Sequence, residues 1–251
     1  MGLFSFFKKK DKEEEQYDAI LNFSQIKTDV HSHLLPGIDD GSPDMETTLS
    51  LINGLRELGF TKAITTPHIM SDSYRNTPAI INEVLAKVKQ ELIRLEINFS
   101  IEAAAEYYLD DDFLEKLKTE KLLTFSNNYL LFEISYINPP DYLSKVIFDI
   151  QSRGYKPVLA HPERYAYWLN NMQIYDQLKS QGVLFQLNTI ALTGYYGGAP
   201  KKIAEQLIKK NYYEFIGSDM HKKAHLEALG RSVNEKLLHQ LLYQGVSNAL
   251  L

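Results

Sequence analysis

The sequence predicts an α/β protein whose parallel sheet is closed or nearly closed into a barrel, and three observations carry that expectation. Short β-rich runs alternate with longer stretches of helical periodicity, with no low-complexity linker between them. The chain has 251 residues, a length that a (β/α) barrel fills as a single domain. Five of its seven histidines, joined by acidic residues, lie just past the ends of the β-rich runs. In such barrels the active site lies at the C-terminal ends of the strands.

The first run is Ile26 to Val30. After it, Ser42-Pro43-Asp44 reads as an N-cap, an N1 proline and a first-turn acid, and Met45, Leu49, Ile52 and Leu55 repeat at helical spacing until Gly59. The second run, Lys62 to Thr66, leads to a helix over Ala79 to Glu96 carried by Ile81, Val84, Leu85, Val88, Leu92 and Leu95. The remaining runs are Phe99 to Ala103, Tyr129 to Ile134, Lys156 to Ala160, Val183 to Leu187 and Glu214 to Gly217. Weaker helical patterns cover residues 141–153, 171–181, 200–211 and 233–244. Thr193 to Gly198 reads as a loop, with an aromatic wall at Tyr195 and Tyr196 as the second reading.

Composition narrows the function. With 44% hydrophobic and 24% charged residues the chain is an ordinary globular protein, and its formal net charge of -5 disfavours nucleic acid as a partner. It has no cysteine, which removes disulfides, thiolate zinc sites and any thiol nucleophile. Residues 1–24 read as a flexible charged leader and 25–251 as the catalytic domain. The aromatic start of the leader and Lys8-Lys9-Lys10 fit either a frayed terminus or a short amphipathic anchor giving at most weak membrane association.

The polar residues at the strand ends are His31, His33, His68, Glu106, Glu133, His161, Asp219 and His221; the sixth run offers Gln186 and Asn188 instead. Residues two apart in an extended chain point the same way, so His31 and His33 can face one cation, as can Asp219 and His221. So many ionisable groups at a buried barrel mouth would be costly without a cation. Imidazole and carboxylate without sulfur favour Mn, Fe or Zn over Mg. His225 and His239 read as ordinary surface or packing residues.

The signature His31-Ser32-His33-Leu34-Leu35-Pro36-Gly37-Ile38-Asp39-Asp40-Gly41, with Thr66-Pro67-His68, Glu106, Glu133, His161-Pro162-Glu163-Arg164-Tyr165 and Ser218-Asp219-Met220-His221, resembles the polymerase and histidinol phosphatase (PHP) superfamily. More narrowly it resembles the bacterial manganese-dependent tyrosine phosphatases of capsule and exopolysaccharide operons, the CpsB and YwqE type. The resemblance runs from about Asp29 to the last helix. It implies a distorted seven-stranded TIM-like barrel holding three divalent metals, most simply Mn. His31, His33, Glu106 and Asp219 would hold the first, Glu106, Glu133 and His161 the second, and Asp40, His68 and His221 the third. Asp40 enters on the resemblance alone.

The same resemblance implies a cytoplasmic enzyme, compatible with a peripheral place at the inner membrane face and with an oligomer. Its substrate would be phosphotyrosine in the tail of a bacterial tyrosine kinase that controls polysaccharide synthesis, hydrolysed by a metal-bound hydroxide, with Arg164, Asp40 and His68 as the catalytic set. Arg164 is the first candidate for a phosphate contact; salt-bridging to a neighbouring helix is its other reading. Many relatives carry an arginine soon after the Asp-x-His motif, but here the loop reads Lys222-Lys223-Ala224-His225, leaving Lys222, Lys223 or Arg75 as substitutes. The competing readings are a small-molecule phosphatase of the histidinol phosphate type, a nuclease module and a noncatalytic interaction protein.

Overall fold

Each predicted run becomes a parallel strand in the computed structural model, which describes residues 22–251. The elements in chain order are β1 (Thr28–Asp29), α1 (Met45–Glu57), β2 (Lys62–Thr65), β3 (His68–Ile69), α2 (Pro78–Arg94), β4 (Ser100–Ala103), β5 (Glu106–Tyr108) and α3 (Asp111–Thr119). They continue with β6 (Tyr129–Glu133), α4 (Leu143–Ser152), β7 (Lys156–Ala160), α5 (Gln173–Ser180), β8 (Leu184–Asn188), α6 (Gly198–Lys209), β9 (Tyr213–Gly217), α7 (Lys223–Ser232) and α8 (Lys236–Gln244). The predicted leader lies outside the described residues except for its last three, of which Phe23 is fully buried and stacked on Phe60 at 4.8 Å.

A single closed seven-stranded sheet is not what the ladders form. Among the described residues, nine strands make a three-stranded sheet ordered β1-β2-β4 and a six-stranded sheet ordered β3-β5-β6-β7-β8-β9, neither of them closed. The extra strands come from two interrupted runs. Between β2 and β3, Pro67 has no N–H to give the ladder. Its carbonyl still accepts from Glu106 N at 3.1 Å, and Thr65 O accepts from Ala104 N at 2.9 Å, so both runs pass from one sheet to the other.

At the other junction, β1 and β9 are joined by side chains instead of a ladder. The two Asp29 carboxylate oxygens accept from Ser218 N at 2.8 Å and Ser218 Oγ at 2.6 Å. Buried Asn248, from the C-terminal turn, accepts from Ile216 N at 2.9 Å and donates to Thr28 O and Ile216 O at 2.9 and 2.7 Å. Beyond these clips one parallel bridge pairs Ser32 with Met220. Val30, Ile64, Ala104, Leu131, Val158, Ala160 and Phe215 form one inner cluster, with Leu184 against it, so all seven runs share a small apolar layer. A larger cluster fills the space between strands and helices.

The helices show where local signals shift. Asp44, not Ser42, caps α1, accepting from Thr47 N at 2.8 Å. Ser42 instead donates its N–H to His33 O and accepts at Oγ from the Thr48 hydroxyl of α1. The sequence reading lacks α3, although Asp110 accepts from Phe113 N and acids open and lysines close the helix. It also leaves Lys223 onward as a loop, where the structure has α7. Among the described residues no helix is long and apolar enough to cross a membrane.

Candidate metal centre

The bridge between Ser32 and Met220 sets the centre, because it puts their flanking residues His31, His33, Asp219 and His221 on one side. His68 and Glu106 are direct partners in the β3–β5 pair, Glu133 ends β6, and His161 follows β7. Two of these side chains are aimed by left-handed backbone, at His161 (φ 34) and Asp219 (φ 49), a conformation that side-chain-bearing residues hold at a cost.

Glu106 stands at the middle. Its Oε2 lies 3.2 Å from His31 Nε2, 3.5 Å from His33 Nε2 and 3.3 Å from His68 Nδ1, while Oε1 lies 3.0 Å from His161 Nε2. Asp219 Oδ1 is 3.5 and 3.4 Å from the Nε2 atoms of His31 and His33. Glu133 lies 3.8 Å from His161 and 3.4 Å from His68, and Asp40 Oδ1 lies 3.6 and 3.4 Å from the Nε2 atoms of His68 and His221. All nine residues predicted as ligands are thus brought together, in overlapping groups whose ligand atoms lie within 4.8 Å of one another.

The donor chemistry fits bound cations. His31 Nδ1 faces Gln186 Oε1 at 2.6 Å, with Gln186 oriented by its amide bond to Leu187 O; His33 Nδ1 faces the Asp39 carboxylate at 2.8 Å; His221 Nδ1 faces Asp219 O at 2.8 Å. Each partner oxygen accepts, so each Nδ1 donates and each Nε2 is the nitrogen turned towards the carboxylates, where it can ligate a cation once it carries no proton. His68 Nδ1 is buried without a hydrogen-bond partner among the described residues. Lone pairs converging on acceptors repel one another unless a cation or protons intervene.

The titration of the groups reports the same crowding. Burial, followed by the charges of Glu106 and Asp219, pushes the Glu133 carboxyl well above its usual range. Burial alone would raise Glu106 and Asp219, but the surrounding imidazoles hold both well below. Asp40 resists burial in the same way, brought down to about 2 chiefly by His221. Burial depresses His161 to about 4, which keeps its ring neutral and able to ligate at neutral pH.

Several side chains that the sequence does not single out as supports surround the candidate ligands. Asp39 links two ligands, accepting from His33 Nδ1 and, at 3.2 Å, from His68 N. Asn188 Nδ2 donates to Asp219 Oδ2 at 2.8 Å. His225 is no ordinary packing residue: it is buried, its Nδ1 lies 3.0 Å from Asp219 O, and it lines the cavity over the centre. Gly217 is glycine because a Cβ there would come within 2.5 Å of His31 Cβ and 2.7 Å of Gln186 Nε2. The only local hint was that Gln186 and Asn188 end the sixth run, where the other runs carry ligands.

The cavity above the centre has a volume of about 540 Å³ and is bounded by Tyr74, Tyr108, Tyr136, Arg164, Tyr195, Tyr196 and Lys222. Arg164 pairs with Asp219 Oδ2 at 2.9 Å, not with a neighbouring helix. Of the proposed phosphate contacts, Lys222 lines this cavity with Arg164. Lys223 is exposed on α7, and Arg75 lines a separate depression with Asp72, Asp112 and Lys116.

Known proteins are similar to this chain in sequence and fold. The family profile described as "Capsular polysaccharide synthesis, CpsB/CapC" matches residues 27–238. The tyrosine-protein phosphatase YwqE of Bacillus subtilis is 29% identical over 194 residues, 77% of this chain and 76% of that protein. The tyrosine-protein phosphatase CpsB of Streptococcus agalactiae is 30% identical over 203 residues, 77% of this chain and 82% of that protein. A crystal structure from the work on YwqE from Bacillus subtilis and CpsB from Streptococcus pneumoniae, described as unique metal-dependent tyrosine phosphatases, superposes with a TM-score of 0.74 at 26% identity. That match covers 87% of this chain and 96% of the other. Histidinol phosphate phosphatase from Lactococcus lactis shares the fold at a TM-score of 0.53 and 12% identity, over 88% of this chain and 94% of that one. By its sequence, the chain belongs to the CpsB/CapC family of capsular polysaccharide synthesis proteins.

Proposed function

We propose that this chain is a metal-dependent protein tyrosine phosphatase acting on phosphotyrosine in a bacterial tyrosine kinase of capsular or exopolysaccharide synthesis, in the cytoplasm. The observation that carries the reading is the convergence of nine imidazole and carboxylate side chains, seven of which line one cavity with Arg164 while His31 and His33 lie buried behind them. Its relatives YwqE and CpsB bear the name tyrosine-protein phosphatase. Three divalent cations suit the overlapping groups: one at His31, His33, Glu106 and Asp219, one at Glu106, Glu133 and His161, and one at Asp40, His68 and His221. Manganese is the simplest choice, and iron or zinc suits the same donors.

Bound cations would supply Lewis acidity towards the phosphoryl oxygens and a water activated at neutral pH. The chain's own residues do the rest. Gln186, Asp39 and the Asp219 carbonyl hold three imidazoles in the ligating tautomer. Arg164, fixed on Asp219, offers guanidinium donors to the phosphoryl group, and Lys222 adds charge at the rim. The tyrosine rings around the mouth give an aromatic leaving group apolar surface to lie against. A phenolate with a pKa of about 10 departs with less protonic help than an alkoxide, which suits a site whose cysteine-free chain can form no thiophosphate intermediate.

The test compares turnover of a phosphotyrosine peptide, a phosphoserine peptide and histidinol phosphate by metal-supplemented protein, with His31→Ala and Asp219→Ala beside it. Phosphotyrosine should be preferred and both variants should lose turnover while staying folded. Preference for histidinol phosphate would move the enzyme to the small-molecule class, and full turnover by either variant would remove the proposed centre.

A further inference from the structure

Two tyrosines of the cavity wall stand against Arg164 from separate loops. The guanidinium carbon lies 4.7 Å from the ring centroid of Tyr136, in the loop after β6, and 4.3 Å from that of Tyr196, in the loop before α6. Both contacts place the cation over a π face. The edge of the guanidinium is held as well, through Nη1 to Asp219 Oδ2 at 2.9 Å. Asn188 Nδ2 donates to the same carboxylate oxygen at 2.8 Å and to the Tyr196 hydroxyl at 3.1 Å, so the ring and the carboxylate that hold Arg164 share an anchor. The Tyr136 hydroxyl lies 3.3 Å from His161 Nε2, which ties the second ring to the centre.

The choice of aromatic rings has a consequence for phosphate binding. A second carboxylate beside Arg164 would compete with phosphate for its N–H groups. A π face restrains the plane of the cation and leaves the remaining edge donors available. Among the described residues, Nη1 to Asp219 is the one hydrogen bond of this guanidinium, in a side chain that lines the cavity. Long arginine side chains lose rotamer freedom when they engage a ligand, and a side chain already held on two faces and one edge loses less.

We propose that Tyr136 and Tyr196 form an aromatic clamp that presets the Arg164 guanidinium for the phosphoryl oxygens of the substrate. They are positioning residues for the reaction, and the proposal rests on the reading of Arg164 as a phosphate contact. Because the clamp works through ring faces, leucine should break it and phenylalanine should preserve it.

The experiment uses metal-loaded protein bearing Tyr136→Leu, Tyr196→Leu, both together, the two corresponding Phe variants, or Arg164→Met. Metal content, melting temperature, kcat and KM for a phosphotyrosine peptide, and inhibition by inorganic phosphate are measured. Each Leu variant should weaken phosphate inhibition and lower kcat/KM about tenfold, and the pair about a hundredfold, with metal content unchanged. The Phe variants should stay within about threefold of the parent, because the π face survives. Tyr136 is 43% exposed, so Tyr136→Leu keeps the test alive if Tyr196→Leu unfolds.

Unchanged phosphate inhibition in the Leu variants, with Arg164→Met crippled, would overturn the clamp and leave the arginine reading standing. Full phosphate affinity and turnover in Arg164→Met would instead remove the arginine reading. Equal damage in Phe and Leu variants would assign the effect to the hydroxyls, and metal loss tracking activity would assign it to the support of His161 and Asp219; either result overturns the proposal.

Discussion

Gln186 Oε1 lies 2.6 Å from His31 Nδ1 in a fully buried contact, and this amide decides which nitrogen of His31 is left for a cation. Gln186→Met keeps the volume and removes the acceptor, leaving a buried N–H unpaired and the ring free to change tautomer. Apparent metal affinity should fall about tenfold to a hundredfold with the fold retained, as losses of such partners do elsewhere. Metal titration followed by calorimetry checks it. An unchanged affinity would mean that packing alone orients His31.

Metal removal should loosen the protein as well as silence it. Glu106, Glu133 and Asp219 are buried within one cluster, and among the described residues imidazoles, Arg164 and the Asn188 amide face these carboxyl groups when no cation is bound. Chelator treatment should therefore lower the melting temperature. Returning divalent metal should raise stability by about 1.4 kcal/mol per tenfold excess of free metal over its dissociation constant. A melting temperature indifferent to chelator and to metal would argue against any cation at this centre.

Asn248 should matter for stability far beyond its place in the C-terminal turn. Its amide satisfies Ile216 N, Ile216 O and Thr28 O across a junction that has no ladder there. Asn248→Ala orphans three backbone groups and should cost about 3 kcal/mol. Asn248→Asp should be at least as damaging, because a carboxylate would face the two carbonyl oxygens that the amide now feeds. Urea unfolding of the two variants measures both effects, and a loss under 1 kcal/mol in Ala, on the order of an exposed substitution, would show that water replaces the clip.

These relationships mark how far the sequence could be read. Asp40, in the loop after the first run, had only the family resemblance to mark it. The other eight of the nine candidate ligands were legible because they stand at or just past the end of a β-rich run and because His31 and His33, or Asp219 and His221, sit two apart where strand geometry makes them neighbours. Their supports were not, since His31 and Gln186 are 155 residues apart and no local pattern joins them. The second run was read as ending at Thr66, before Pro67, and nothing nearby indicated that the chain would resume as β3 beside Glu106. The junction of β1 with β9 was invisible for the same reason, because its closing group, Asn248, lies in a turn at the far end of the chain. The cap of α3 at Asp110 was readable, and its absence from the sequence reading reflects the dominance of apolar periodicity over capping in short helices.

Glu163 gives the fold a defined pH dependence. Its carboxylate is fully buried, accepting from Asn188 N at 2.8 Å and from the Tyr213 hydroxyl at 2.9 Å, and burial raises it to about 7 from a usual 4.5. Between those values the folded chain binds more protons at this group than the unfolded chain, so stability falls as pH rises. The contribution is fully present below about pH 4.5 and is gone above about 7, a span of about 3 kcal/mol. Glu163→Gln cannot ionise, so its stability relative to the parent should improve steadily through this window and level off above it. The lost acceptor for Tyr213 shifts the whole curve down without changing that slope. Urea midpoints of both proteins at pH 5, 6, 7 and 8, in which all other titrations are common and cancel, decide the matter: parallel curves would place the folded Glu163 carboxyl near its usual value.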